Sequence, residues 1–328
     1  MDYLLTVIVP VYNMEKYLEK TLDSLVNQTF KPLKILVCND GSTDSSVSIV
    51  EKYQEKFPNV FLISQENGGI ASCRNFAIKH LDTEYFGFLD SDDYVELDMF
   101  EKMYHKITEN NSDICVCDFY KVWPDKQIIV EDGLYSNEKE MIKNLYSTLW
   151  NKIYRSDLLN KYDLSFLTGY RYEDSYFLYT LAANSLKIAR VNEALVYYIQ
   201  RNASITHNNN EKVRDMIYVF KGIRSYYQDH QLESKFQADL EFIFIKFFLG
   251  NNFLRACQIN DSEKRNEILK LAWDFLNESY PNFKKNPYLD IFPKSRKLFV
   301  VGITEFNYRF IARIIHLAYR FKGSDTYG

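Results

Sequence analysis

Apolar runs alternate with helical patterns in the N-terminal part of the chain. Leu4–Val9 is rich in β-branched residues, which favours a strand. The leucines that follow it recur at helical spacing, at Leu18, Leu22 and Leu25. The alternation continues, and we predict four further strands: Lys34–Cys38, Val60–Ile63, Tyr85–Leu89 and Ile114–Phe119. Strands that alternate with helices predict βαβ units, so the expected fold class is α/β with a mostly parallel sheet.

The pattern changes twice further along the chain. Short strand signals and a helix near Glu173–Ala183 are mixed between residues 123 and 201. Beyond them the sequence shows long helical runs: Val213–Asp229, Phe236–Ile259, Glu263–Glu278 and Phe306–Phe321. We therefore predict two domains, an α/β domain over residues 1–210 and a helical module over residues 211–328.

Composition narrows the class of protein. A chain of 328 residues with 46% hydrophobic residues can bury a sizeable core. Lys and Arg total 40 against 44 for Asp and Glu, and this net charge of −4 argues against a nucleic-acid partner. Five cysteines without a CxxC pair argue against a disulfide framework or a structural zinc. Apolar runs are shorter than a membrane span of about 18 residues and no signal-peptide pattern is visible, so we expect a cytoplasmic protein.

Polar and glycine residues follow each of the first four predicted strands. These strand ends read Tyr12-Asn13, Asp40-Gly41, Asn67-Gly68-Gly69 and Asp90-Ser91-Asp92-Asp93. In open α/β sheets, ligands bind beyond the carboxyl ends of the strands. The sequence therefore predicts a ligand site built from four loops.

The residue types in these loops suit a nucleotide and a metal ion. The acidic cluster that starts at Asp90 offers carboxylates to a hard divalent ion. The alternative is an acidic turn on the surface that binds no ion. Asp40 is able to accept a hydrogen bond from a base N–H or to act as a helix N-cap. The NGG segment before Arg74 offers flexible backbone and a cation to a diphosphate. Neither a GxGxxG nor a GxxxxGK[ST] pattern is present, which removes the main support for dinucleotide and P-loop sites.

Four segments in order, TVIVPVYN, NDGSTD, ENGGIASCRN and FLDSDD, together resemble a family 2 glycosyltransferase with a GT-A fold. The resemblance continues more loosely through LWNKIYR, YEDSYF and RNASIT. It implies an inverting enzyme that uses a UDP-sugar and Mn²⁺ or Mg²⁺. A processive polymerase of this family usually carries a QxxRW motif and membrane spans, which are not seen here, so we expect one sugar per encounter.

The resemblance also implies roles for individual residues. The expected nucleotide site consists of Pro10, Tyr12, Asp40, Asn67, Gly69, Arg74, Asp90 and Ser91. The expected metal ligands are Asp92 and His207. Asp174 is the expected general base, and we predict that a helix N-terminus keeps its carboxylate ionised at neutral pH. The expected acceptor side consists of Trp150, Lys152 and Glu173, with core packing as the alternative for Trp150.

Other functions and partners remain open at this stage. The acceptor is expected to be a glycan on a lipid, a polymer or a glycoprotein. A basic amphipathic segment over residues 294–322 fits either an anionic membrane surface or packing on its own domain or in a homodimer. An inactive sugar-nucleotide-binding or scaffold protein is the main alternative. A nucleotidyltransferase is a weaker one, because the first strand is followed by VPVYNMEKY rather than by a glycine-rich phosphate loop.

Overall fold

The computed structural model describes residues 2–184, 186–201 and 211–322. The expected metal ligand His207 lies outside these residues. The chain divides into two compact units. Unit 1 comprises Met1–Gly169 and Glu173–Asn202, and unit 2 comprises Tyr170–Tyr172 and Ala203–Gly328.

Unit 1 is built on one nine-stranded sheet. Its strands are β1 (Leu5–Val11), β2 (Leu33–Asp40), β3 (Val60–Gln65), β4 (Tyr85–Phe88), β5 (Tyr94–Val95), β6 (Ile114–Val122), β7 (Gln127–Val130), β8 (Lys152–Arg155) and β9 (Ile188–Ile199). They are ordered β3-β2-β1-β4-β8-β6-β9-β5, and β7 pairs with β6 beside this path. The five predicted strands correspond to β1, β2, β3, β4 and β6.

The two halves of the sheet differ in direction. β3, β2, β1 and β4 are all parallel, and Val7 of β1 lies between Ile35 of β2 and Gly87 of β4. In the other half only β6 and β9 are parallel, whereas β8 runs antiparallel to β4 and β6, and β5 runs antiparallel to β9. The alternating pattern predicted the parallel half, and the short strands β5, β7 and β8 carry too few residues to show their direction in the sequence.

The helices of unit 1 pack around a sheet whose inner strands β1 and β2 are fully buried. They are α1 (Leu18–Val26), α2 (Ser46–Lys56), α3 (Ile70–Ile78), α4 (Met99–Glu109), α5 (Glu138–Asn144), α6 (Asp157–Lys161) and α7 (Glu173–Ala182). All seven residues of β1 are buried, as expected for a strand covered on both faces. Leu18, Leu22 and Leu25 of α1 belong to the same core, which explains their helical spacing.

The regular elements among the described residues of unit 2 are all helices. Its helices are α8 (Asp215–Asp229), α9 (Glu233–Lys246), α10 (Asn252–Cys257), α11 (Ser262–Ser279), α12 (Lys294–Gly302) and α13 (Glu305–Lys322). A π-helical turn over Phe247–Asn251 joins α9 to α10. The helical run predicted over Phe236–Ile259 is therefore interrupted by this turn. Phe220 packs against three phenylalanines at this turn: Phe244, Phe247 and Phe248. Among the helices that the structure describes, none is long and apolar enough to cross a bilayer.

Candidate functional site

The loops after the parallel strands are tied to one another by side-chain hydrogen bonds. Asn13, directly beyond β1, accepts a hydrogen bond from the Thr43 backbone N–H at 2.8 Å, and its own N–H donates to Ser42 Oγ at 3.1 Å. The loop beyond β3 bonds to the end of β2 through Asp40. Parallel strands end at one edge of a sheet, and these bonds hold the loops together there.

Asp40 organises the loop that carries Gly68 and Gly69. Its Oδ1 accepts hydrogen bonds from Gln65 Nε2 at 2.6 Å and from the Gly68 N–H at 2.9 Å, and its Oδ2 accepts from the Gly69 N–H at 2.9 Å. The Asn67 side chain adds a bond to the Asp40 carbonyl at 3.0 Å. A carboxylate offers about four acceptor positions, so these three bonds leave about one for a ligand N–H.

Two further residues of the expected nucleotide site, Pro10 and Tyr12, lie at the end of β1. Pro10 is buried within the strand, where it pairs in register with Cys38 of β2. The Tyr12 side chain is 48% exposed just beyond the strand. An exposed ring at the rim of such a site is available for stacking on a flat ligand.

Arg74 of α3 connects two carboxylates from distant parts of the chain. Its Nη2 lies 2.9 Å from Asp90 Oδ1 beyond β4, and its Nη1 lies 2.5 Å from Glu173 Oε1 at the start of α7. Arg74 is only 3% exposed, and its guanidinium also lies over the Phe88 and Phe166 rings. Burial opposes its charge, but Asp90 and Glu173 raise the pKa of Arg74, so it remains a cation.

Asp174 follows Glu173 in the first turn of α7 and is partly buried. Burial and the neighbouring charge of Glu173 raise its pKa to about 7, against the opposing effects of Arg74 and of the Ser175 N–H, which donates to Oδ1 at 2.7 Å. At a pKa of about 7 the carboxylate is only about half ionised at neutral pH, so the expectation that the helix N-terminus keeps it ionised is met only in part. Desolvation and a like charge outweigh the helix dipole here.

The acidic cluster beyond β4 separates into groups with different partners. Asp90 pairs with Arg74, whereas Asp92 pairs with Arg201, whose guanidinium also lies over the Tyr17 ring. Ser91 is buried between them. The sequence placed all four residues of the cluster at one site, and the structure shows that Asp90 and Asp92 pair with two separate arginines.

Asp93 has a structural partner that its sequence position did not reveal. It is 1% exposed, and its Oδ1 accepts a hydrogen bond from the Ile199 N–H at the end of β9 at 2.8 Å. Burial and the nearby charge of Asp90 raise the pKa of Asp93 well above its ordinary value. Asp93 therefore fastens the acidic loop to β9.

Trp150 and Lys152 lie in the interior of unit 1. Trp150 is 4% exposed and packs against Phe119 and Tyr198, which agrees with the core alternative. Lys152 has no exposed surface, and its Nζ lies 2.8 Å from Asp132. An acceptor contact by Lys152 does not fit this position, because a fully buried ammonium paired with a carboxylate is not accessible to a ligand.

Asp132 is the polar partner that sequence reasoning missed. Besides Lys152 it accepts a hydrogen bond from Asn151 Nδ2 at 3.0 Å and one from the Tyr135 hydroxyl. Burial opposes its ionisation, but Lys152 and these hydrogen bonds hold the pKa of Asp132 below its ordinary value. No spacing in the sequence links it to Lys152, because the two residues meet only through the fold.

Among the described residues, no group of three or more His, Cys, Asp or Glu side chains is arranged to hold a metal ion. A metal that takes most of its ligands from a substrate needs fewer protein groups, since Mg²⁺ is commonly bound by one or two carboxylates together with phosphates. Asp92, with a side chain 19% exposed, meets that smaller requirement.

Comparison with solved structures supports the fold. The chain superposes on residues 1–349 of S. aureus TarS with a TM-score of 0.73 at 23% identity, covering 97% of this chain and 91% of that one. A crystal structure of the same fragment in complex with UDP-GlcNAc matches with a TM-score of 0.71, at 23% identity, over 97% of this chain and 92% of that one. Unit 1 has the α/β fold of GT-A glycosyltransferases, and the helices of unit 2 follow it in the chain.

Sequence comparison gives the family. The model of "Glycosyl transferase family 2" matches residues 6–164. Glycosyltransferase GlyA of Streptococcus pneumoniae is 35% identical over 229 residues, which are 65% of this chain but only 33% of that protein, so this chain spans about a third of its length. The uncharacterized glycosyltransferase EpsJ of Bacillus subtilis is 30% identical over 276 residues, 80% of each chain. Together with the ordered loops at the strand ends, these matches show that the chain belongs to glycosyl transferase family 2.

Proposed function

We propose that this protein transfers one sugar from a UDP-sugar to a hydroxyl group of a glycan acceptor, with inversion at the anomeric carbon. The observation that carries the proposal is Asp174, a carboxylate with a pKa of about 7 beside the Arg74 that bonds the acidic loop. The similarity to TarS, solved with UDP-GlcNAc, supports UDP as the nucleotide.

Asp174 is proposed to act as the general base. Its carboxylate removes the proton from the acceptor hydroxyl while that oxygen attacks the anomeric carbon. The bond from this carbon to the diphosphate oxygen breaks on the opposite face, and UDP leaves with the electron pair. A base works best when its pKa lies near the operating pH, and the pKa of about 7 meets that condition.

The nucleotide is proposed to bind at the ends of β1, β2 and β4. The exposed Tyr12 ring is suited to stacking on uracil, and the acceptor position left on Asp40 is suited to the uracil N–H. Asp90 is proposed to face the ribose. Arg74 is almost fully buried and engaged by two carboxylates, so we assign it the role of a positioning residue that links Asp90 to Glu173.

A divalent ion is proposed to take part through Asp92. This carboxylate would hold Mn²⁺ or Mg²⁺ in exchange for its ion pair with Arg201. When bound, the ion supplies positive charge that stabilises the departing diphosphate. Arg201 would then be free to pair with a phosphate oxygen, which is the usual partner of a guanidinium.

The acceptor and the domain roles extend the proposal. The acceptor is proposed to be a glycan carried by a lipid, a polymer or a glycoprotein. Residues 1–210 are proposed as the catalytic nucleotide-sugar domain. Residues 211–328 are proposed as the module that sets the choice of acceptor or oligomer.

The test measures UDP binding and UDP release separately. Calorimetry of the full chain with UDP is run with Mn²⁺ and with a chelator, and UDP release is followed with a panel of UDP-sugars. We expect Asp174→Asn to bind UDP within about twofold of the wild type and to release UDP about 10²–10⁴-fold more slowly. The matched control is Asp125→Asn, at an exposed aspartate of unit 1.

Each part of the proposal fails on a different result. UDP release by Asp174→Asn at the wild-type rate would rule out Asp174 as the general base. Unchanged metal-dependent UDP binding by Asp92→Asn would rule out Asp92 as the metal ligand. A folded wild-type chain that binds no UDP under either condition would rule out a UDP-sugar as the donor.

A further inference from the structure

The last helix of the chain, α13, has two opposite apolar faces. Tyr308, Ala312 and His316 recur every four residues and are at most 6% exposed. This buried face packs on the other helices of unit 2. The Tyr308 hydroxyl donates to the Phe248 carbonyl at 3.2 Å, and His316 Nδ1 donates to the Cys257 carbonyl at 2.9 Å. The helix is therefore held in place by one face.

The opposite face exposes large apolar side chains. The exposed fraction is 81% for Phe306, 56% for Phe310, 50% for Ile314 and 45% for Leu317. Residues spaced by three or four positions are neighbours on a helix surface, so these four form one continuous stripe. Single exposed apolar residues are ordinary, but a stripe of this length marks an interaction surface.

Arginines border this stripe along one edge. Arg309, Arg313 and Arg320 each follow an apolar stripe residue by three positions, and all three are exposed. The sequence of α13 holds one acidic residue, Glu305, which pairs with Arg309 at 2.6 Å. Within α13 no acidic side chain is therefore left to pair with Arg313 and Arg320, and both face solvent.

We propose that the exposed face of α13 docks on the surface of a bilayer that contains anionic phospholipid. The stripe would enter the boundary between headgroups and acyl chains, and the arginine edge would lie at the phosphates. The length of α13, 18 residues, corresponds to about 27 Å lying in the plane of the surface. The proposal does not depend on the transfer reaction.

Charge complementarity favours this occupant over a second copy of the chain. A copy that used the same face would bring a second set of arginines and, within α13, only Glu305 as an acid, which is already paired. Phospholipid phosphates supply the missing negative charge, and acyl chains cover the phenylalanines. A bilayer thus satisfies both the apolar stripe and its charged edge.

Vesicle flotation of the full chain tests the proposal. Vesicles of phosphatidylglycerol and phosphatidylcholine in equal parts are compared with vesicles of phosphatidylcholine alone. We expect Phe306→Ser/Phe310→Ser to lower the partition coefficient about 100-fold and Arg313→Gln/Arg320→Gln to lower it about 30-fold. Raising the salt from about 0.1 M to about 1 M should weaken binding of the wild type, because the Debye length falls from about 10 Å to about 3 Å.

Matched controls alter similar residues elsewhere. Ile128→Ser/Ile129→Ser removes two exposed apolar side chains from β7, and Lys52→Gln/Lys56→Gln removes two exposed cations from α2. Both controls should float like the wild type. All substituted residues are exposed in the wild type, so we expect every variant to fold. Near-ultraviolet circular dichroism of each variant checks this.

Three results would overturn the proposal. The wild type fails to float with the anionic vesicles, or the phenylalanine variant floats as well as the wild type, or neutral vesicles bind as strongly as anionic ones. Light scattering is run on the same samples. A wild-type dimer that becomes a monomer in Phe306→Ser/Phe310→Ser, without vesicle binding, would assign the face to a second copy instead.

Discussion

Arg74 and Glu173 are 99 positions apart in the chain, and their side chains form an ion pair of 2.5 Å in the interior. The same guanidinium bonds Asp90 at 2.9 Å. The acidic loop beyond β4 and the start of α7 are therefore held by one buried cation. Because Asp174 is adjacent to Glu173, this arrangement determines the charges around the proposed base.

Arg74→Gln should move the pH dependence of transfer upward. The positive charge of Arg74 lowers the pKa of Asp174, so its removal raises that pKa above about 7 and the acidic limb of the pH–rate profile moves to higher pH. We also expect a loss of about 3 kcal/mol in the free energy of unfolding, because Glu173 is left buried without a partner. Arg74→Lys keeps a charge and should show a smaller shift. The pH–rate profile and chemical denaturation measure both effects.

Glu173→Gln should move the same limb in the opposite direction. The negative charge of Glu173 raises the pKa of Asp174, so a neutral amide lowers it and Asp174 is ionised at lower pH. The acidic limb of the profile should therefore move to lower pH. Shifts of the same sign in the Arg74 and Glu173 variants would contradict this electrostatic account.

Asp174→Asn should stabilise the fold at pH 8 while it slows transfer. The pKa of Asp174 is raised from 3.8 to about 7 on folding, so the folded chain retains a proton that the unfolded chain loses, and stability falls as pH rises through this range. An amide has no such proton. We expect a gain of about 1–3 kcal/mol in the free energy of unfolding at pH 8, which decreases as the pH is lowered towards 4. Equal gains at pH 8 and pH 4 would argue against titration of Asp174.

Lys152→Met should destabilise the protein by about 3–5 kcal/mol, because it leaves Asp132 buried without its cation. The control Lys102→Met removes a partly exposed lysine from its pairs with Asp98 and Glu193 and should cost about 0–1 kcal/mol. Thermal unfolding compares the loss of stability in the two variants. A Lys152 variant with unchanged stability and weaker acceptor binding would restore the acceptor role.

Gly41→Ala should weaken UDP binding by disturbing the loop beyond β2. Gly41 has a φ of +70°, and a Cβ atom there would lie 2.8 Å from the Asn67 backbone nitrogen. Strain and contact together should cost about 1–2 kcal/mol. In Gly302→Ala the added Cβ meets nothing within 4 Å, so this control should have little effect. Calorimetry with UDP and thermal unfolding compare the two variants.

The local sequence was sufficient to predict the strands of the parallel half of the sheet. The apolar runs that became β1, β2 and β4 are buried strands, the run that became β3 is a partly buried strand at the sheet edge, and the polar residues after them lie at the strand ends. The spacing of Leu18, Leu22 and Leu25 correctly predicted α1. These predictions succeeded because the side-chain period of a strand or a helix is a property of consecutive residues.

Long-range contacts decided the chemistry of the candidate site. The sequence placed Lys152 beside a ligand and expected an ionised Asp174, whereas the structure buries the first beside Asp132 and raises the pKa of the second. Neither result is visible in the neighbouring residues, because desolvation and charge proximity depend on residues that the fold brings together from far along the chain.

The sequence by itself determined the family, the order of the strand-end loops and the residue types that they present. Only the tertiary structure decided that Arg74 joins Asp90 to Glu173, and that α13 turns one apolar face inward and leaves the other exposed. Periodicity shows that a face is apolar, but burial is a relation between a face and its neighbours. That relation exists only once the chain has folded.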